Sequence, residues 1–107
     1  MRREVAKSFV YCIQERGRDA YGPVKVGIAR DPRQRLDNLQ VGNPVKLAIF
    51  GCIGPFTDKE AHRIEVELHM DMARHRIRGE WFSGLALPIF EDALSGYGCK
   101  LHAVKLR

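Results

Sequence analysis

Glu65 is the acidic residue whose position in the sequence best suits chemistry. At 100° per residue it falls at the edge of an apolar helical stripe. A half-desolvated carboxylate there needs a cation, a hydrogen-bond donor, a metal ion or a proton. A purely structural alternative is an intrahelical pair of Glu65 with His69, one helical turn away. The stripe consists of Ala61, Ile64, Leu68 and Met72.

The histidines of the same segment argue against a zinc site. His62 and His69 are seven residues apart, which on a helix is about 10 Å along the axis, so they cannot chelate one ion together. The three cysteines, Cys12, Cys52 and Cys99, are too widely spaced for any paired-ligand zinc pattern. They are predicted to be reduced residues that pack in the interior.

A basic segment and a tyrosine are the other candidates. Between Lys25 and Lys46 the chain carries five basic and two acidic residues, which favours either a phosphate-binding surface or an ordinary solvated face. Arg33 and Arg35 flank the apolar edge of the helix predicted there. Tyr11 alternates with its neighbours on a predicted strand, where it either packs in the core or reaches a site.

Several enzyme classes lack their signature. Gly27 stands alone between two apolar residues instead of in a glycine-rich phosphate loop. There is no Gly-x-Ser-x-Gly turn, and no cysteine and histidine form a credible nucleophilic pair. Nucleotide-hydrolysing and serine-hydrolase functions are therefore not expected.

The strands that must position these residues are read from β-branched and alternating segments. Residues 8–14 and 24–28 predict two strands of an antiparallel hairpin, and residues 45–53 predict a third. A fourth segment, residues 99–106, is a candidate edge strand.

Three helices are predicted between and after the strands. Asp31, Pro32 and Gln34 form a helix start, and this helix should end near Gln40. Thr57 to Glu60 is a second capping box, opening a helix toward Arg76. A short helix follows over residues 87–94. The fold class is α/β of the α+β type: a small central, mainly antiparallel three-stranded sheet flanked by helices, in the order ββαβα plus the short helix.

Composition sets the frame for these elements. The chain has 107 residues, a net charge of +5, 45 % hydrophobic and 29 % charged residues, as expected for a single globular domain with a real core. No apolar stretch approaches the ~20 residues of a membrane-spanning helix. We expect one domain over residues 1–107, with a core at about 8–82 and an extension at 83–107, a cytoplasmic location and no membrane partner.

Six short segments follow one another along residues 8–82. They are Phe9-Val10-Tyr11, Val24-Lys25-Val26-Gly27, the turn and helix start at 29–36, the helix exit at 39–44, Ile64-Glu65-Val66-Glu67-Leu68-His69 and Gly79-Glu80-Trp81-Phe82. Together these segments resemble the GIY-YIG endonuclease superfamily, in particular its small phage and bacterial T5orf172 or Mug113-like branch. Lys25 stands where the superfamily's second signature has tyrosine, and a lysine there is similar to this branch. The late asparagine of the superfamily has no clear counterpart.

The resemblance implies hydrolysis of phosphodiester bonds in DNA with Mg²⁺ (or Mn²⁺). Tyr11 would position or deprotonate the attacking water, and Arg35 would hold the phosphate oxygens. Glu65 would be the metal ligand, which suits Mg²⁺ because this ion takes one or two protein carboxylates. His69 would orient that carboxylate. Lys25 would be a fifth catalytic residue.

The resemblance also implies contacts to flanking phosphates, for which Lys25, Arg30, Arg33 and Asn43 are the candidates. Such contacts position DNA without reading its sequence. Two other functions remain open: a DNA-binding module on the same fold with weak or no turnover, and a protein adaptor that uses the basic face and Trp81-Phe82. The oligomeric state is left open, although two copies would provide a way to cut both strands.

Overall fold

Five strands and three α-helices make up the described part of the chain. The structure is a computed structural model that describes residues 5–16 and 22–97. A short 3₁₀ turn at Ala73–His75 precedes the fourth strand, and another at Gly84–Ala86 precedes the last helix. The elements are β1 (Ser8–Glu15), β2 (Val24–Ala29), α1 (Pro32–Gln40), β3 (Leu47–Phe56), α2 (Asp58–Asp71), β4 (Arg76–Arg78), β5 (Trp81–Phe82) and α3 (Leu87–Gly96).

The strands form one antiparallel sheet in the order β3-β1-β2-β5-β4. The predicted hairpin of β1 and β2 is confirmed, with Tyr11 opposite Gly27. The predicted number of three strands is wrong, because β4 and β5 add a small hairpin beside β2. These strands have three and two residues, which is too short for an alternating pattern to be recognised.

Capping residues fix where α1 begins. The Asp31 side chain accepts a hydrogen bond from the backbone nitrogen of Gln34 at 3.0 Å, and a proline occupies the first helical turn. The helix ends at Gln40, as predicted, before Gly42 in a left-handed conformation (φ 75°).

A capping box starts α2. Thr57 and Glu60 bond to each other's backbone nitrogens reciprocally, at 3.2 and 3.1 Å. The predicted buried stripe of this helix, Ala61, Ile64, Leu68 and Met72, is confirmed. The predicted end near Arg76 is wrong, since the helix stops at Asp71 and the 3₁₀ turn leads into β4.

The sheet separates two apolar clusters, because successive residues of β1 point to opposite faces. Val10 and Cys12 pack toward α2 and α3, whereas Tyr11 and Ile13 pack on the other face, where Leu36 and Leu39 of α1 contact the cluster. We call this second face the α1 face. Cys12 and Cys52 are free and buried, as predicted, while Cys99 lies outside the described residues.

The last helix extends slightly beyond its prediction. It covers Leu87–Gly96 instead of residues 87–94, and the candidate edge strand at 99–106 lies outside the described residues. Among the described helices, none is long and apolar enough to cross a membrane.

Candidate functional site

Tyr11 lies at the centre of the α1 face. Its side chain is only 1 % exposed, and it crosses the neighbouring strand at Gly27. A Cβ atom built on Gly27 would lie 2.5 Å from the Tyr11 hydroxyl oxygen, so the absence of a side chain at position 27 makes room for the phenol. Among the described residues the hydroxyl has no hydrogen-bond partner, and no fully buried polar side-chain atom lacks one. The hydroxyl therefore reaches the surface only by a narrow edge.

Charges from three other elements act on this tyrosine. Burial raises the pKa of Tyr11 to about 12, with Arg35 opposing the rise and with Glu80 and Glu65 adding to it. Arg35 belongs to α1, Glu65 to α2 and Glu80 to the turn before β5. Arg35 and Glu65 thus act electrostatically on Tyr11, although the three residues are far apart in the sequence and lie on different elements.

Glu65 is enclosed at the margin of α2. Its side chain is 13 % exposed, and the nearest ionisable group among the described residues is His62, whose Nδ1 atom lies 3.9 Å from Oε1. Burial and then the charge of Glu80 raise the pKa of Glu65, while His69, His62 and Lys25 lower it. The carboxylate is therefore short of positive charge and hydrogen-bond donors.

His69 has a different partner from the one considered in the sequence. Its Nε2 atom lies 2.9 Å from the backbone oxygen of Val26, so the ring attaches α2 to the side of β2 that faces away from β1. Within the described residues no hydrogen bond or ion pair joins His69 to Glu65, although the ring acts electrostatically on that carboxylate. Glu65 lies one turn earlier on the same helix.

Lys25 is held by an ion pair across the sheet. Its Nζ atom lies 2.7 Å from Oε1 of Glu80, and the two side chains are 15 % and 44 % exposed. The ammonium also lies 5.9 Å from the centroid of the Trp81 ring. Sequence reasoning missed Glu80 as a member of the site, because the two partners are 55 residues apart and the pairing of β2 with β5 was not predicted.

The candidate phosphate-binding arginines differ in whether they form an ion pair. Arg33 and Arg35 are exposed and form no ion pair within the described part of the chain. Arg30, which directly follows β2, instead reaches the start of α2 with its side chain, where its Nη2 atom lies 3.2 Å from Oδ2 of Asp58.

Asn43 has a structural partner in the turn after α1. Its Oδ1 atom accepts a hydrogen bond from the backbone nitrogen of Val45 at 2.9 Å. The side chain of Gln40 bonds to the backbone of Asn43, Val45 and Leu47. This network shapes the turn, and the predicted DNA contact of Asn43 stays a prediction.

Only Trp81 of the predicted adaptor patch at Trp81-Phe82 reaches the surface, and it does so in part. Phe82 is fully buried beneath α2 and α3, and Trp81 packs against the cluster of the α1 face. These two residues therefore belong to the core and rim of the sheet.

A family model describing the T5orf172 domain matches residues 8–95. The chain belongs to the T5orf172 domain family. No curated protein and no solved structure matches it. T5orf172 domains form a nuclease-like, DNA-binding family, so the match supports a nucleic-acid function and agrees with the resemblance found in the sequence.

Glu65 is the carboxylate of this site that could hold a divalent cation. Within the described residues, no group of three or more histidine, cysteine, aspartate or glutamate side chains could hold a metal ion. Glu65 is a half-desolvated carboxylate, and the charge of Glu80 acts on it. One or two carboxylates fit Mg²⁺ or Mn²⁺, which complete their shell with water and phosphate oxygens.

Proposed function

We propose that this T5orf172 domain is a metal-dependent DNA endonuclease that hydrolyses phosphodiester bonds by attack of water with the help of one Mg²⁺. The observation that supports the proposal is that the charges of Arg35 and Glu65, which come from two different helices, both act on the strand residue Tyr11. Such hydrolysis requires an oriented water, a cation for the phosphate oxygens and stabilisation of the leaving 3′ oxygen.

Tyr11 would orient the attacking water. Because its pKa is raised to about 12, the phenol is neutral near pH 7 and can both donate and accept a hydrogen bond. This favours orientation of the water over its deprotonation by a phenolate. Within the described residues, no hydrogen bond to another protein group acts on this hydroxyl.

Arg35 would hold the phosphate. Its guanidinium is exposed, has no carboxylate partner in the described residues and acts electrostatically on Tyr11. A planar guanidinium binds two phosphate oxygens at once. Arg33, on the same helix, and Lys25, beside Glu80, would contact flanking phosphates.

Glu65 would ligate the divalent cation, with His69 as its support. When bound, Mg²⁺ would stabilise negative charge on the leaving oxygen. His69 would contribute by fixing α2 against Val26, and so would position the Glu65 carboxylate through the helix.

The experiment is nicking of supercoiled plasmid with Mg²⁺ or Mn²⁺, with chelator as the blank. Linear, branched and single-stranded DNA and RNA define the substrate. We expect Tyr11→Phe and Arg35→Ala to lose most of the nicking rate, since removing one transition-state contact commonly costs about 10²–10³-fold. No cleavage of any substrate by the unsubstituted protein would contradict the proposal.

A DNA-binding module without turnover is the second candidate. The exposed guanidinium groups of Arg33 and Arg35, which have no ion-pair partner among the described residues, favour it, because they would bind phosphates whether or not a cation is present. Salt-sensitive DNA binding in the absence of any cleavage would identify this function.

A further inference from the structure

Glu80 contacts β2 through both its backbone and its side chain. Its backbone oxygen accepts a hydrogen bond from the nitrogen of Val26 at 3.2 Å, and its carboxylate bonds to the ammonium of Lys25 at 2.7 Å. The next residue, Trp81, pairs with Lys25 in the register of the sheet. The position of the Glu80 carboxylate is therefore set by strand pairing.

Lys25 has two carboxylates within electrostatic range and contacts one of them. Its ammonium bonds to Glu80 and lies near the Trp81 ring. The same ammonium also acts electrostatically on Glu65, where it is the last of the groups that lower the pKa of this carboxylate. In the structure, however, the close contact of Glu65 is with His62, whose Nδ1 atom lies 3.9 Å from Oε1.

The two possible pairings of Lys25 have different consequences for a cation. A lysine side chain has four rotatable bonds and a point charge, so without a fixed partner it can turn toward another carboxylate. An ammonium in contact with Glu65 would occupy the oxygens that a divalent cation needs. A partner that holds the ammonium elsewhere removes this competition.

We propose that Glu80 is a positioning residue that holds the Lys25 ammonium away from Glu65 and so leaves the Glu65 carboxylate free to bind a divalent cation. This inference rests on the proposed function, since it concerns the same site. It adds a role for a residue on the β4–β5 turn, acting through Lys25 instead of touching the substrate.

A double-mutant cycle separates this role from a direct effect of the Glu80 charge. The four proteins are the unsubstituted chain, Glu80→Gln, Lys25→Met and the double variant. If Glu80 acts through Lys25, Glu80→Gln weakens cation binding only while the lysine is present. If Glu80 attracts or ligates the cation itself, the loss persists in the Lys25→Met background.

Binding of Mn²⁺ without DNA is measured from the electron paramagnetic resonance signal of the free ion. We expect Glu80→Gln to raise the apparent dissociation constant about tenfold, as is usual when a residue supporting a metal ligand is lost. In the Lys25→Met background the same substitution should change it less than about twofold. The Mg²⁺ concentration for half-maximal nicking should shift in parallel.

Glu67→Gln is the matched control. Glu67 forms an ion pair with Arg63 at 3.0 Å, and its side chain is 52 % exposed, close to the 44 % of Glu80. Its loss should leave Mn²⁺ binding unchanged. Thermal unfolding without metal checks that each variant is folded.

The outcomes distinguish this inference from the proposed function. Unchanged Mn²⁺ binding in Glu80→Gln, or an equal loss in both backgrounds, would overturn the role of Glu80 even if the unsubstituted protein nicks DNA. Absence of both nicking and Mn²⁺ binding in the unsubstituted protein would overturn the proposed function itself.

Discussion

Gly27 is the residue on which the position of Tyr11 depends most directly. The phenol lies over Gly27, and a methyl group there would come within 2.5 Å of the hydroxyl oxygen and 2.7 Å of the ring. Because the ring is buried, it cannot move aside without disturbing its neighbours.

Gly27→Ala should therefore displace the Tyr11 hydroxyl. We expect a loss of about 1–3 kcal/mol in the free energy of unfolding, as for overpacked cores, together with loss of nicking. Urea denaturation and the plasmid assay measure the two effects. Gly96→Ala is the control, because nothing lies within 4 Å of a Cβ at that position, and an equal loss there would contradict this account.

Glu65 gives a pH-dependent prediction of stability. Its pKa is raised by burial and by the charge of Glu80, so the folded state binds a proton more tightly than the unfolded chain does. The ionised carboxylate thus destabilises the fold at neutral pH, and this cost disappears as pH falls below the ordinary value of 4.5.

Glu65→Gln should accordingly raise the Tm of the metal-free protein at pH 7, by a few degrees at most. The difference from the unsubstituted protein should vanish toward pH 4. Thermal unfolding across this range, with chelator present, measures the effect. A lower Tm at pH 7 would show that the carboxylate is stabilised by partners instead of being short of them.

At the scale of elements, the site depends on how α2 meets β2. The nitrogen of Val26 bonds to Glu80 and its oxygen to His69, so one residue of the strand connects the β4–β5 hairpin and the helix. This junction brings together the helix that carries Glu65 and the turn that carries Glu80.

Replacing His69 should disturb the site through the helix. His69→Ala leaves the Val26 oxygen without its partner, which we expect to cost about 1–3 kcal/mol of stability, and to slow nicking by moving Glu65. His69→Gln keeps a donor and should recover part of both losses. Urea denaturation and nicking of the three proteins test this. Full activity in His69→Ala would show that α2 does not need this contact.

The elements also show what the sequence could and could not predict. The starts of α1 and α2 were predictable because Asp31 and Thr57 form local caps with residues three positions later. The β4–β5 hairpin was not, because its stability comes from pairing with β2, which is distant in sequence. Glu80 was missed for the same reason, whereas Tyr11, Arg35 and Glu65 could be singled out from their positions on elements and from the family resemblance.

At the scale of the whole molecule, the distribution of ion pairs indicates which arginines would form the proposed DNA-binding surface. Arg33 and Arg35 are unpaired on α1 within the described chain, while Arg30 is 3.2 Å from Asp58 at the start of α2. A DNA phosphate would bind more tightly to Arg33 and Arg35 than to Arg30, because Arg30 would first have to break its ion pair with Asp58.

Salt dependence of DNA binding tests this asymmetry. Each phosphate contact contributes about 0.9 to the slope of log affinity against log salt on duplex DNA. Arg33→Ala should flatten the slope by about this amount and weaken binding equally for all sequences, and Arg30→Ala should flatten it less. Fluorescence anisotropy over a salt series provides both slopes. Equal slopes in Arg33→Ala and the unsubstituted protein would place the binding surface elsewhere.

The most direct test of the proposed mechanism is Mg²⁺-dependent nicking by Glu65→Gln and Glu67→Gln, measured beside their DNA affinity. Gln keeps the shape of each side chain and removes its charge. Glu65 is enclosed near Tyr11, whereas Glu67 lies on the exposed side of α2 in its pair with Arg63. We predict that Glu65→Gln binds DNA but nearly loses nicking, while Glu67→Gln retains it. Full nicking by Glu65→Gln, or equal losses in both variants, would contradict the mechanism.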